Sequence, residues 1–177
     1  SMLLSLSVKT VGIQPAEDVV VTLSTEDEYV TITDGEENYG DIEPDAVVTV
    51  DDGFAFDVAE DIPDGHAVLF EVSASDGTDT WTSNVVITGH APVLELGDFT
   101  ISDPSGNNNG KLDPGEDATI TITVLNNGTA DAYEVFGELM TSDMYLEINT
   151  TDPQLYGDIS AEDEAMASFD VYADEIT

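Results

Sequence analysis

The sequence contains no cysteine, which excludes disulfides, thiolate metal sites and a cysteine nucleophile. Positive charge is almost as scarce. Lys plus Arg number 2 against 39 Asp plus Glu, a formal net charge of -37. A surface without cations cannot neutralise phosphates, so nucleic acid is excluded as a partner, and anionic membrane surfaces are disfavoured on the same ground. The only histidines, His66 and His90, sit beside no nucleophile motif. Gly-x-Ser-x-Gly, His-Glu-x-x-His and phosphate-cradling glycine loops are missing. With so many acids, some carboxylate pair always falls at a catalytic spacing, so such pairs carry no information. The chain is read as non-enzymatic. No apolar run approaches the roughly 18 residues of a membrane span. The opening "SMLLSLSVKT" has no basic region ahead of its apolar run and is not read as a signal peptide. Its Ser1-Met2 reads as an expression remnant, and the chain is expected to be a piece of a longer protein.

What is present is a 177-residue chain, 41% hydrophobic, enough for one large domain or two small ones. Sustained helical periodicity is absent. Short apolar runs alternate with period two instead, as in half-buried strands. "LSLSV" puts Leu4, Leu6 and Val8 on one face, and "TITITV" does the same with Ile120, Ile122 and Val124. Further strands are expected over 19–23, 28–33, 67–72, 80–88 and 134–140. Asp34-Gly35, Asp52-Gly53, Asp64-Gly65, Asp76-Gly77 and Asn127-Gly128 read as turns between strands. Many short strands with Asx-Gly turns predict an all-β antiparallel sandwich architecture.

An internal repeat divides the chain. With Val8 laid on Val124, Gly12 meets Gly128, Ala16 meets Ala132, Val19 meets Val135 and Leu23 meets Leu139. Thr25, Asp27, Tyr29 and Ile32 fall on Thr141, Asp143, Tyr145 and Ile148. After one insertion "YGDI" at 39–42 matches "YGDI" at 156–159, and after a deletion "FDV" at 56–58 matches "FDV" at 169–171. The copies are cut differently. The second begins with the lead-in "VLELGDFTISD" and an Asn-rich loop but lacks any counterpart of "PDGHAVLFEVSASDGTDTWTSNVVITG", whereas the first has that segment and no lead-in. Modules are therefore expected over 1–90 and 91–177, joined at His90-Ala91-Pro92. The second, missing its closing strands, is expected to expose an unpaired sheet edge. That edge invites strand exchange or dimerisation, or mobility near Thr177.

The Asn-rich loop points to a hard cation. Calcium takes about 6–8 oxygen ligands from carboxylates, amide carbonyls and backbone. "SGNNNGKLDPGE" follows the spacing of a twelve-residue calcium loop. Asn107 and Asn109 stand at its third and fifth positions, Gly110 at the sharp turn, and Lys111 offers its backbone carbonyl. Asp113 stands at the ninth position and Glu116 at the twelfth, the usual bidentate place. Ser105 replaces the aspartate of the first position, and Asp103 is read as supplying the missing charge. Pro114-Gly115 excludes the exiting helix of an EF-hand, so the loop leads into a strand. A plain polar turn, in which Asn and Gly merely tolerate left-handed backbone, is the competing reading.

"DPSGNNNGKLDPGEDATITITVLNNGTADA" resembles the calcium-binding opening of bacterial immunoglobulin-like modules in secreted and surface proteins, the adhesion-related CARDB kind. These include the β-sandwich repeats attached to gingipain-like cysteine peptidases of Bacteroidetes. The resemblance implies two tandem immunoglobulin-like antiparallel β-sandwich modules, a calcium-stabilised spacer or adhesion role, and an extracellular or bacterial cell-surface setting. The implied partners are neighbouring domains of the parent protein and a host or cell-surface protein or glycan. Two alternatives stay open: an accessory domain of a gingipain-like secreted peptidase, and a carbohydrate-binding module, which needs exposed aromatics at a shallow groove. Trp81 is expected in the core, as a sandwich anchor, with an exposed glycan-stacking role as its alternative. Tyr29 and Tyr145 are read as structural. The sequons at Asn127 and Asn149 are read as turn chemistry.

Overall fold

In the computed structural model residues 1–175 are described. Among them every regular element is a strand: β1 (Met2–Lys9), β2 (Ala16–Ser24), β3 (Val30–Asp34), β4 (Glu36–Ile42), β5 (Val47–Val58), β6 (Ala67–Ser75), β7 (Thr80–Thr88), β8 (Leu94–Ser102), β9 (Glu116–Asn126), β10 (Ala132–Gly137), β11 (Leu146–Ile148), β12 (Gln154–Ile159) and β13 (Glu164–Ala173). All pairings are antiparallel. The chain divides into two compact units, Ser1–Gly89 and the residues from His90 onward.

In the first unit a three-stranded sheet, β1-β5-β3, faces a four-stranded one, β4-β2-β6-β7. Alternation supplies the core. β2 turns Val19, Val21 and Leu23 inward, β5 contributes Phe54 and Phe56, and β6 contributes Val68, Phe70 and Ala74. The Phe56 and Phe70 rings meet at 5.1 Å across the two layers. Leu4, Leu6 and Val8 of β1 pack half-buried against this cluster. Full burial of such a side chain stabilises by about 1.5–3 kcal/mol.

The second unit has sheets β11-β13-β9-β8 and β10-β12. Its pairings repeat those of the first: β9, β13 and β11 stand to one another as β1, β5 and β3 do, and β10 to β12 as β2 to β4. Irregularities repeat as well. The ladder slips between Ala16 and Val19 in β2 and between Ala132 and Val135 in β10. Asp18 and Glu134, both at φ 50, lie inside these slips. Their N–H groups donate to Asp41 Oδ1 and Asp158 Oδ1, each at 2.9 Å. The units differ by what flanks this shared frame: β6 and β7 beside β2 in one, β8 beside β9 in the other.

Three expectations from the sequence change. The "FDV" match is displaced by two residues, because the ladder sets Phe54 opposite Leu4 and Phe169 opposite Ile120, so Phe54, not Phe56, is the counterpart of Phe169. Asp52-Gly53 is not a turn between strands. It lies within β5, in a bulge where Asp51, Asp52 and Gly53 stand against Ser5 alone, and the Asp52 N–H donates to Ser5 Oγ at 2.8 Å. Trp81 is not in the core but 50% exposed. It pairs with the inward-facing Ala74, yet β7 is the margin of a sheet one strand wider than the sheet opposite.

Candidate functional site

The Asn-rich loop connects β8 to β9. Asp103, just past the end of β8, is 1% exposed. Its Oδ2 accepts the Asn109 N–H at 3.0 Å and its Oδ1 the Gly110 N–H at 2.9 Å. One buried carboxylate thus gathers the backbone of the loop's far side, which turns through the left-handed residues Asn108 and Gly110. Ser105 points away, its Oγ donating to the Asp117 carbonyl at 3.3 Å.

Asp113 sits at the centre of the loop's side chains. Its Oδ2 accepts the Nδ2–H of Asn107 and of Asn109, both at 2.7 Å. The Asn107 amide, then the Asn109 amide, hold its carboxyl below the usual carboxylate range, and the nearby Lys111 charge adds to this. The Lys111 N–H donates to Asn109 Oδ1 at 2.8 Å, fixing which end of that amide faces Asp113. Glu116 opens β9 at 9% exposure, and its Oε1 accepts the Asp113 N–H at 2.8 Å. Its other oxygen lies where a Cβ on residue 106 would sit, so a larger residue there would push the Glu116 carboxylate aside.

The loop therefore brings Asn107, Asn109 and Asp113 to one point and ties Glu116 to them through backbone. Asp103 instead spends both oxygens on backbone amides, and Lys111 engages through its N–H. Among the described residues no group of three or more His, Asp or Glu converges as a ready-made ligand cluster. The side chains gathered here nonetheless carry carboxylate and amide oxygens, the ligand chemistry of a hard cation such as calcium, although both asparagines turn their Nδ2–H groups toward Asp113. A half-turn of the Asn107 side-chain amide exchanges its donor for its acceptor oxygen at Asp113.

The sequence reading missed two other polar centres. Asn126, fully buried, donates through Nδ2 to the carbonyls of Ala130, Ile159 and Ser160. It accepts the N–H of Val93 and of Gly128 through Oδ1. Its counterpart Thr10 reaches only the Ile42 carbonyl, at 3.4 Å. The doubled asparagine before glycine is the one signal the sequence offered. In the first unit His66 Nε2 lies 2.7 Å from Asp27 Oδ2. That hydrogen bond, with help from the Tyr29 N–H, holds the Asp27 carboxyl below its ordinary range. Tyr29 packs edge-on against the His66 ring at 5.0 Å, whereas Tyr145 stands exposed.

Trp81 lines a cavity of about 460 Å³ with Asp76, Asp79 and the segment from Val8 to Ala16. Val11 and Ile13 are exposed at its rim. Comparison of the chain with protein-family models, with curated proteins and with solved structures finds no match.

Proposed function

We propose that the chain is a non-catalytic pair of tandem immunoglobulin-like β-sandwich modules, stabilised by calcium in the β8–β9 loop, acting as a spacer or adhesion element of a larger exported bacterial protein. The observation that carries this reading is the pair of buried carboxylates, Asp103 and Glu116, beneath one oxygen-rich loop. Burying charge costs several kcal/mol unless it is compensated, and here the compensation is backbone N–H alone. Calcium held by Asp113, Glu116, Asn107, Asn109 and the Lys111 carbonyl, with Asp103 shaping the loop or joining the ligands, would supply the missing positive charge. The likeness of this loop to those of secreted surface modules supports the extracellular setting.

Calcium bound only by the folded state adds about 2.7 kcal/mol when it stands a hundredfold above its Kd. Thermal unfolding should therefore shift upward in calcium relative to sodium at matched ionic strength, and chelator should reverse the shift. Glu116→Gln should lose most of that calcium increment. Equal stabilisation by the two cations, unchanged in the variant, would refute the site.

The exposed Trp81 beside an open cavity favours a second reading, a carbohydrate-binding module. Apolar sugar faces stack on such rings, and Asp76 and Asp79 would accept hydroxyl hydrogen bonds. Soluble polysaccharides should quench the fluorescence of the single tryptophan, and Trp81→Ala should abolish pull-down of the chain on the insoluble forms. No quenching across neutral glycans would remove this reading.

A further inference from the structure

A peptidase that cuts after a basic residue needs a Lys or Arg in an accessible segment. Within these 177 residues Lys9 and Lys111 are the only two. Lys9 closes β1. It pairs with Val47, and the N–H of the next residue, Thr10, donates to the Ala46 carbonyl at 3.2 Å, so sheet hydrogen bonds hold both sides of the Lys9–Thr10 bond. Lys111 is placed differently. It is exposed in the loop between β8 and β9, outside any ladder. Among the described residues it forms no ion pair, in a chain with 39 acids, and its carbonyl accepts no hydrogen bond.

The ordered loop does not yet offer the Lys111–Leu112 bond for attack. Gly110, just before it, is left-handed at φ 73, whereas a peptidase cleft takes extended chain. Side-chain hydrogen bonds hold this bend from both directions. Asp103 grips the Asn109 and Gly110 N–H groups, Asn109 Oδ1 takes the Lys111 N–H, and Asp113 takes the Asn107 and Asn109 amides. Cutting therefore waits on local opening of the loop, and whatever holds the loop shut sets the rate.

We propose that Lys111–Leu112 is a processing site for a peptidase of basic specificity, gated by calcium. The gate presupposes the calcium reading of this loop, in which the ion takes the Lys111 carbonyl, the group a nucleophile must attack. Its other ligands lie on both sides of the bond, Asn107 and Asn109 before it, Asp113 and Glu116 after it, so an occupied loop clamps the scissile peptide. Hydrolysis adds water across the bond, leaving a Lys111 carboxylate and a Leu112 ammonium group. It also divides the ligands between two pieces, so a cut loop loses the chelate that kept it closed. Residues 1–111 are then joined to the rest by non-covalent contacts alone, the β8–β9 ladder among them. Calcium retains the first unit, and its withdrawal opens the way to releasing it. Where opening and closing are fast relative to cutting, the rate follows the open population. Calcium bound only by the closed loop lowers that population by 1 + [L]/Kd, about 100-fold when it stands a hundredfold above its Kd.

The test exposes the full chain to a lysine-specific serine endopeptidase, its activity in each buffer normalised to a chromogenic lysyl amide. In chelator the first products by mass should be 1–111 and 112–177. Calcium at a hundredfold over its Kd should slow this cut about 100-fold, saturably, and sodium at matched ionic strength should not. Lys111→Gln should abolish the cut and keep the calcium shift in thermal unfolding, because the backbone carbonyl is unchanged. Lys111→Arg should be cut by trypsin and not by the lysine-specific enzyme. An intact chain in chelator, or first cutting at Lys9–Thr10, would overturn the processing site. Cutting that calcium leaves unslowed, while calcium still raises the unfolding temperature, would overturn the gate and leave the calcium reading standing. Calcium that changes neither would remove both.

Discussion

At the residue scale the repeat lets one position be tested against its twin. Gly128 lies under the segment leading into β8: a Cβ there would overlap the Ala91 carbonyl oxygen and come within 2.8 Å of the Pro92 carbonyl carbon. These are backbone atoms, held by the Asn126 amide through Val93, and cannot yield as a flexible side chain would. Gly12, its counterpart, has nothing nearer than 4.0 Å. Gly128→Ala should therefore cost about 1–3 kcal/mol, the usual penalty of overpacking. Gly12→Ala should stay within about 0.5 kcal/mol. Urea unfolding of the two variants compares them directly. Equal costs would mean that residues 91–93 are not seated on that turn.

At the element scale, the parts legible in the sequence are those set by local pattern. Alternation identified β1 and the middle of β9, because side chains two apart share a face whatever the partner strand does. The repeat identified which segments correspond, and the absent counterpart of residues 63–89 marked the flank that β6 and β7 occupy in the first unit alone. The errors share a cause. Period two conserves facing under a shift of two, so "FDV" matched "FDV" while the ladder set Phe169 against Ile120, the counterpart of Leu4, whose own partner is Phe54. Asp-Gly supplies left-handed backbone equally to a turn and to a bulge, and only the opposing Ser5 decides between them. Trp81 does face inward, but how far the opposite sheet extends is a property of topology. In the loop, Gly110 at the sharp turn and the grouping of Asn107, Asn109 and Asp113 followed from spacing. Asp103's use of both oxygens on backbone did not, because it depends on the path by which β8 delivers the chain into the loop.

At the scale of the whole molecule the dominant fact is a net charge of -37 in 177 residues with only 2 cationic side chains. Exposed acids brought together by folding repel one another more in the compact state than in the open chain, so the repulsion subtracts from stability. Its range is the Debye length, about 30 Å at 0.01 M salt, about 8 Å at 0.15 M and about 3 Å at 1 M. At the lowest salt, charges on opposite faces of a unit still interact, and at the highest only near neighbours do. Stability in urea should therefore rise steeply as sodium chloride increases from 0.01 to 0.15 M and more gently toward 1 M. This response belongs to the summed charge and not to any one loop, so Glu116→Gln, which changes the total by one, should follow the parent curve in parallel. The calcium increment should appear on top of that curve in full only in the parent, with most of it lost in Glu116→Gln. Stability that is flat or falling between 0.01 and 0.15 M would mean that the acids are neutralised within the fold, and the calcium comparison would then have to be read without a screening background.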